Sequence, residues 1–169
     1  MSRSYSLIGK LRPINNDTFN KEEFPLYYDR VRDYLPNVPE CVFENWIHRH
    51  YTDLDRYSFL GFDKMIFTRE KWKIDKIYHD VNSFDGNPIL DRWGYQLYDP
   101  YNNSWLKKYM LTNLTWNVPI IVLQNDRYSD MGRPYHLIEG HRRLNYFREL
   151  YRKEKHKLLD EHEIWLVTV

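Results

Sequence analysis

Two stretches decide the fold: VPIIVL at residues 118–123 and YHLIEGHRRLNYF at residues 135–147. Residues 119–123 form a short, continuous apolar run, which predicts a strand buried on both faces. Residues 125–134 are polar and rich in turn formers, so a turn follows. Residues 135–138 predict a second short strand. Gly140 breaks that pattern and a helix begins, with Leu144, Phe147, Leu150 and Tyr151 as its buried stripe. Working outward, residues 104–114 predict a helix before the first strand. EIWLVTV at residues 163–169 predicts a strand after the last helix.

The first hundred residues read as mainly helical. Phe24, Tyr27, Tyr28, Val31 and Leu35 fall near one helical face, and Pro36 stops that helix. Asn37-Val-Pro-Glu40 carries an N-cap, an early proline and a glutamate three positions on, a helix start. Phe43, Trp46, Ile47 and Tyr51 supply the stripe that follows. Thr68 predicts the cap of a third helix, with Trp72, Ile74, Ile77 and Tyr78 as apolar positions. Residues 81–101, rich in Asn, Asp, Gly, Pro and Tyr, predict a long loop with a short strand at most. Residues 1–20 are polar and aperiodic, and read as a lead-in arm. The expected class is mixed α+β: a small mixed sheet from the last third, with a helical N-terminal half.

The chain has 169 residues, 42% apolar and 17% aromatic, enough for a packed core. A net charge of +1 does not predict strong sequence-independent nucleic-acid binding by the chain as a whole. The single cysteine, Cys41, excludes a disulfide within the chain and a cysteine-based zinc centre. No run reaches the length of a membrane span, and the N-terminus lacks a signal-peptide core. The expectation is a cytoplasmic protein with no membrane partner.

Chemistry concentrates in Glu139-Gly140-His141-Arg142-Arg143, at a predicted strand-to-helix junction. Backbone N–H groups at a helix start point outward, and the helix dipole adds partial positive charge. Both favour an anion. Glycine permits close approach or a positive φ. Two arginines can give forked hydrogen bonds to phosphate oxygens, and a histidine can donate or move a proton. The plainer reading is a turn glycine followed by a solvated basic helix. Residues 141–157 hold four Arg and three Lys against two Glu, a local charge of +5 that could meet an acidic protein or DNA.

These elements together resemble the ParB/sulfiredoxin-like superfamily, over residues 100–169. Its members share a Pro-apolar strand, a turn, an apolar strand, Gly-x-x-Arg and a helix. ParB proteins carry Gly-Glu-Arg-Arg where this chain has Gly140-His141-Arg142-Arg143. The free-serine kinases of the superfamily carry Asp-Gly-His-His-Arg, here Glu139-Gly140-His141-Arg142-Arg143. The resemblance implies a core over residues 101–169; the patterning before it reads as a mainly helical extension over 21–100 packed on that core and a flexible arm over 1–20. It implies a nucleoside triphosphate, ATP or CTP, held with Mg2+ by Gly140, His141, Arg142 and Arg143. Glu139 and His141 become the catalytic candidates of an NTP hydrolase or phosphotransferase. Sulfiredoxins place a catalytic cysteine where His141 stands, so peroxiredoxin repair is not expected.

Other residues are weaker candidates. His48 and His50 lie two apart on a predicted helix and do not share a face, so no metal site is expected there. His79-Asp80 and His136 could join a site in space. His136 is expected exposed or paired with backbone. Asp85, Asp91 and Asp99 read as turn formers, with a metal-holding role as the alternative. Tyr98, Tyr101 and Trp105 could stack on a base, or pack their loop. No P-loop, nucleophile elbow or zinc motif is present. The alternative function is a non-enzymatic interaction protein, an antitoxin, immunity or regulatory partner, using the basic helix and aromatic surface. A DNA-processing nuclease ranks third.

Overall fold

The computed structural model describes residues 3–84 and 89–169. About 48% of the chain is helix and 18% strand, with the strands gathered in one sheet, so the class is α+β. The chain divides into two compact units, Met1–Phe67 with Thr168–Val169, and Thr68–Val167.

The first unit is helical. Helix α1 (Arg3–Lys10) forms within the stretch that reads as aperiodic, and Leu11 just beyond it is fully buried. Helix α2 (Phe24–Val31) buries Tyr27 and Val31. Burial pushes the Tyr27 phenol pKa up, and its hydroxyl donates to the Leu11 carbonyl at 2.7 Å. Helix α3 (Glu40–Val42) continues through a wider π-helical segment, Phe43–His48, that buries Phe43, Trp46 and Ile47. Its N-cap is Pro39, a correction to the expected Asn37. The Asn37 amide instead donates to the carbonyls of Phe62 and Met65, each at 2.8 Å, which ties it to the segment before residue 66. His48 Nε2 lies 2.7 Å from the Glu22 carbonyl oxygen, so its ring serves the backbone.

The second unit holds most of a five-stranded sheet in the order β1-β5-β3-β4-β2. Strand β1 is Ile66–Lys73, β2 Val81–Asn82, β3 Ile120–Gln124, β4 Tyr135–Glu139 and β5 Glu161–Thr168. β3 pairs antiparallel with β4 and parallel with β5, while β2 pairs parallel with β4. The predicted helix capped by Thr68 is corrected: residues 66–73 form the edge strand β1, and helix α4 covers only Ile74–Asp80. Strand β1 is tied to β5 by ion pairs from Arg69 to Glu163 and from Lys73 to Glu161. A short helix α5 (Ile89–Arg92) and a 3-10 turn (Gly94–Leu97) lie within the long polar segment.

The last third follows its pattern closely. Helix α6 (Trp105–Asn113) is capped by Ser104, whose hydroxyl accepts from the Lys107 amide, and ends at Leu114 in a left-handed conformation. Helix α7 (His141–Glu154) packs Leu144, Phe147 and Leu150 on one face of the sheet, against Val122, Leu137 and Ile164. Burying such side chains contributes about 1.5–3 kcal/mol each.

Candidate functional site

The β4–α7 junction is built by one close approach. Gly140 caps α7 with φ +104°. A Cβ at this position would lie 2.5 Å from Ile120 Cγ2 and 2.9 Å from Ile120 Cβ. Both facts require glycine: the backbone is in the left-handed region, and β3 occupies the space a side chain would need. The register between β3 and β4 shifts at Ile121/Val122, next to this contact. The first intrahelical bond of α7 runs from Leu144 N–H to the Gly140 carbonyl at 2.8 Å, so the amides of His141, Arg142 and Arg143 precede the helical ladder. Strand β2 is parallel to β4, with Asn82 level with His136 and so short of the Gly140 junction. Ser83, which follows β2, buries a hydroxyl with no hydrogen-bond partner among the described residues.

The motif side chains separate into two groups. Arg143 is 8% exposed. Its guanidinium donates to the Val118 carbonyl at 2.7 Å and pairs with Glu139. It therefore ties the helix start to the residue before the β3 proline, although the motif suggests phosphate as its partner. Glu139 is half-buried and engaged in the same pair. His141 is half-buried, and its carbonyl accepts from the Asn145 amide at 2.7 Å. Arg142 is exposed and makes no ion pair among the described residues.

The other cations from Arg148 onward all have carboxylate partners within the chain. Arg148 and Arg152 both grip Asp91, Arg152 and Lys153 pair with Glu149, Lys155 with Asp75, and Lys157 with Glu154. Burial raises the pKa of Asp91, but hydrogen bonds from Arg148 and Arg152 outweigh it and hold the carboxyl below its ordinary value. The same balance holds Glu149 down, through Lys153 and Arg152.

Several residues acquire roles that their neighbourhood in sequence does not reveal. Asn145 is fully buried and bridges two segments: its amide serves His141, and its oxygen accepts from Trp93 N–H at 3.0 Å. The one signal for it is a polar residue within an apolar stripe. His136 is paired with backbone: its Nδ1 accepts from Gly132 N–H at 3.0 Å. Burial, aided by the nearby charge of His141, pushes its pKa down to about 4, so it is neutral at physiological pH. Asp99 closes a turn by accepting from Tyr101 N–H at 2.9 Å, and Asp85 lies outside the described residues. Tyr98 bonds Glu154 at the last turn of α7, about 20 Å along the axis from Gly140, so it stands at the far end of the helix from the motif. Tyr101 and Trp105 are exposed.

Comparison with protein-family models, curated proteins and solved structures gives no match to this chain.

Among the described residues, no group of three or more His, Cys, Asp or Glu side chains is placed to hold a metal ion.

Proposed function

We propose that the protein is a ParB-like domain that binds a nucleoside triphosphate by its phosphates at the start of α7. The observation that carries this reading is the division of the α7 cations. Six of the seven Arg and Lys side chains in residues 141–157 have carboxylate partners, and the seventh, Arg142, stands at the helix N-terminus with none among the described residues. A helix start with its dipole, three amides ahead of the ladder and an exposed guanidinium fits an anion. In this reading Arg142, His141 and the Gly140 turn contact phosphate. Arg143 acts through position, fixing Glu139 and the β3 entry. Glu139 and His141 are the groups nearest to any phosphoryl chemistry.

The test is calorimetric titration with ATP, CTP and GTP, each with Mg2+. Binding of at least one, reduced about tenfold or more in Arg142→Ala, is expected, since a charge-assisted contact to phosphate is worth roughly 1.5–3 kcal/mol. Equal affinity in the variant, or no binding by the native chain, overturns the assignment.

A second reading, a protein-interaction module, is favoured by the exposed rings of Tyr95, Tyr101 and Trp105. Such side chains are the common anchors of interfaces. The basic helix lends it less support, because its charges are already matched within the chain.

A further inference from the structure

Helices α4 and α7 bring a carboxylate, an imidazole and a phenol together, away from the Gly140 junction. Asp75 and His79 stand four residues apart on α4, and so share a face. Tyr151 of α7 donates its hydroxyl to Asp75 Oδ1 at 2.5 Å, and the same Oη lies 3.4 Å from His79 Nε2. Lys155, one turn further along, places its ammonium 2.5 Å from Asp75 Oδ1 and 2.9 Å from Tyr151 Oη. The phenol is held in place: its ring stacks on Tyr78 at 3.9 Å and 11°. Tyr78 is in turn fixed by Arg148, whose guanidinium lies 4.4 Å over that ring and donates to the Tyr78 carbonyl at 2.7 Å.

We propose that Asp75, His79 and Tyr151 form a site for a divalent transition metal, with Zn2+ as its occupant, and that the Lys155 ammonium holds the cation position when no metal is bound. The donor set is one nitrogen and two oxygens. An imidazole selects Zn2+, Cu2+ or Ni2+ over Mg2+ or Ca2+. Bonds of about 2.1 Å in a tetrahedron place neighbouring ligands about 3.4 Å apart, which is the separation already present between Tyr151 Oη and His79 Nε2. The Asp75–Tyr151 contact must open by under about 1 Å to reach the same edge. That is accessible, because the Asp75 and Lys155 side chains are 62% and 48% exposed and can rotate. On ligation Tyr151 gives its proton to solvent and binds as phenolate, while Lys155 swings out to water. Three protein ligands leave one position for water or a ligand, the open arrangement of a reactive rather than a purely structural zinc centre.

The site is tested on the full chain by calorimetry with Zn2+ and absorbance with Cu2+. A single Zn2+ is expected to bind the native protein. Lys155→Met should tighten it about tenfold or more, since a like charge a few ångströms away is removed. His79→Ala should abolish it in both backgrounds. Cu2+ should give a phenolate-to-metal absorption band that Tyr151→Phe removes. Arg142→Ala and His156→Ala should leave Zn2+ affinity unchanged, which separates this site from the phosphate site and from adventitious histidine binding. Thermal unfolding without metal verifies that each variant is folded. Equal Zn2+ affinity in folded His79→Ala and native protein, no tightening in Lys155→Met, or no Zn2+ binding in either background overturns the proposal.

Discussion

The first turn of α7 and its later turns carry the same kinds of side chain and use them differently. From Arg148 to Lys157 the cations close ion pairs, several with carboxylates distant in sequence: Asp91 is 57 residues from Arg148 and Asp75 is 80 from Lys155. In the first turn one arginine, Arg143, is turned inward onto Glu139 and the Val118 carbonyl, and its neighbour Arg142 faces outward. A helix with a local charge of +5 is therefore largely matched once folded. Charge counted along a segment predicts a binding surface only after the partners supplied by the rest of the fold are subtracted.

The sharpest way to break this comparison is to remove the inward arginine. Arg143→Met keeps most of the side-chain volume but takes the ion-pair partner from a half-buried Glu139 and removes the donor to the Val118 carbonyl. Breaking a buried pair from one side costs about 3–5 kcal/mol. Urea unfolding should show a loss of that order, and Glu139→Gln in the same chain should restore part of it. A loss below about 1 kcal/mol would place Arg143 among the ordinary surface cations and erase the distinction between the two arginines.

A smaller effect separates the core beneath α7 from its ion-paired exterior. His162 is buried between Trp116 and Phe147, with Nδ1 2.7 Å from Thr115 Oγ1. Burial pushes its pKa down to about 4, below the ordinary value of 6.5. Between these values the unfolded chain binds the proton and the folded chain does not, so unfolding is favoured as pH falls. The stability is fully present above about pH 6.5 and is lost progressively toward pH 4. The shift corresponds to roughly 3 kcal/mol at most. His162→Phe should flatten the stability profile over this window relative to the native chain. An unchanged slope would assign the acid sensitivity elsewhere, with buried His136 as the next candidate.

The last third of the fold was legible because its signals are local. A continuous apolar run and a glycine between strand and helix each act over a few residues, and β3 and α7 follow them. Strand β1 was not legible for the opposite reason. Its sequence, IFTREKWK, is half charged, as an exposed edge strand tolerates, and its partner Glu163 lies 94 residues from Arg69. A threonine before an apolar helical spacing then imitates an N-cap. At the site, the sequence located the junction and its glycine. It did not separate Arg142 from Arg143, because the group that turns Arg143 inward is a carbonyl 25 residues earlier. Nor did it show that Asp75, His79 and Tyr151 meet, since only the packing of α4 on α7 joins them.

The smallest expected effect is the most informative about function. Arg142 is exposed and makes no ion pair among the described residues, so Arg142→Ala removes no ion pair from that part of the fold. Its unfolding free energy should stay within about 0.5 kcal/mol of the native value. A residue that costs almost nothing to remove from the fold, yet stands at the positive end of the helix dipole, can be kept for what it binds. If Arg142→Ala instead destabilises the chain as strongly as Arg143→Met, both arginines are structural, and any loss of nucleotide affinity in that variant would report unfolding rather than a missing phosphate contact.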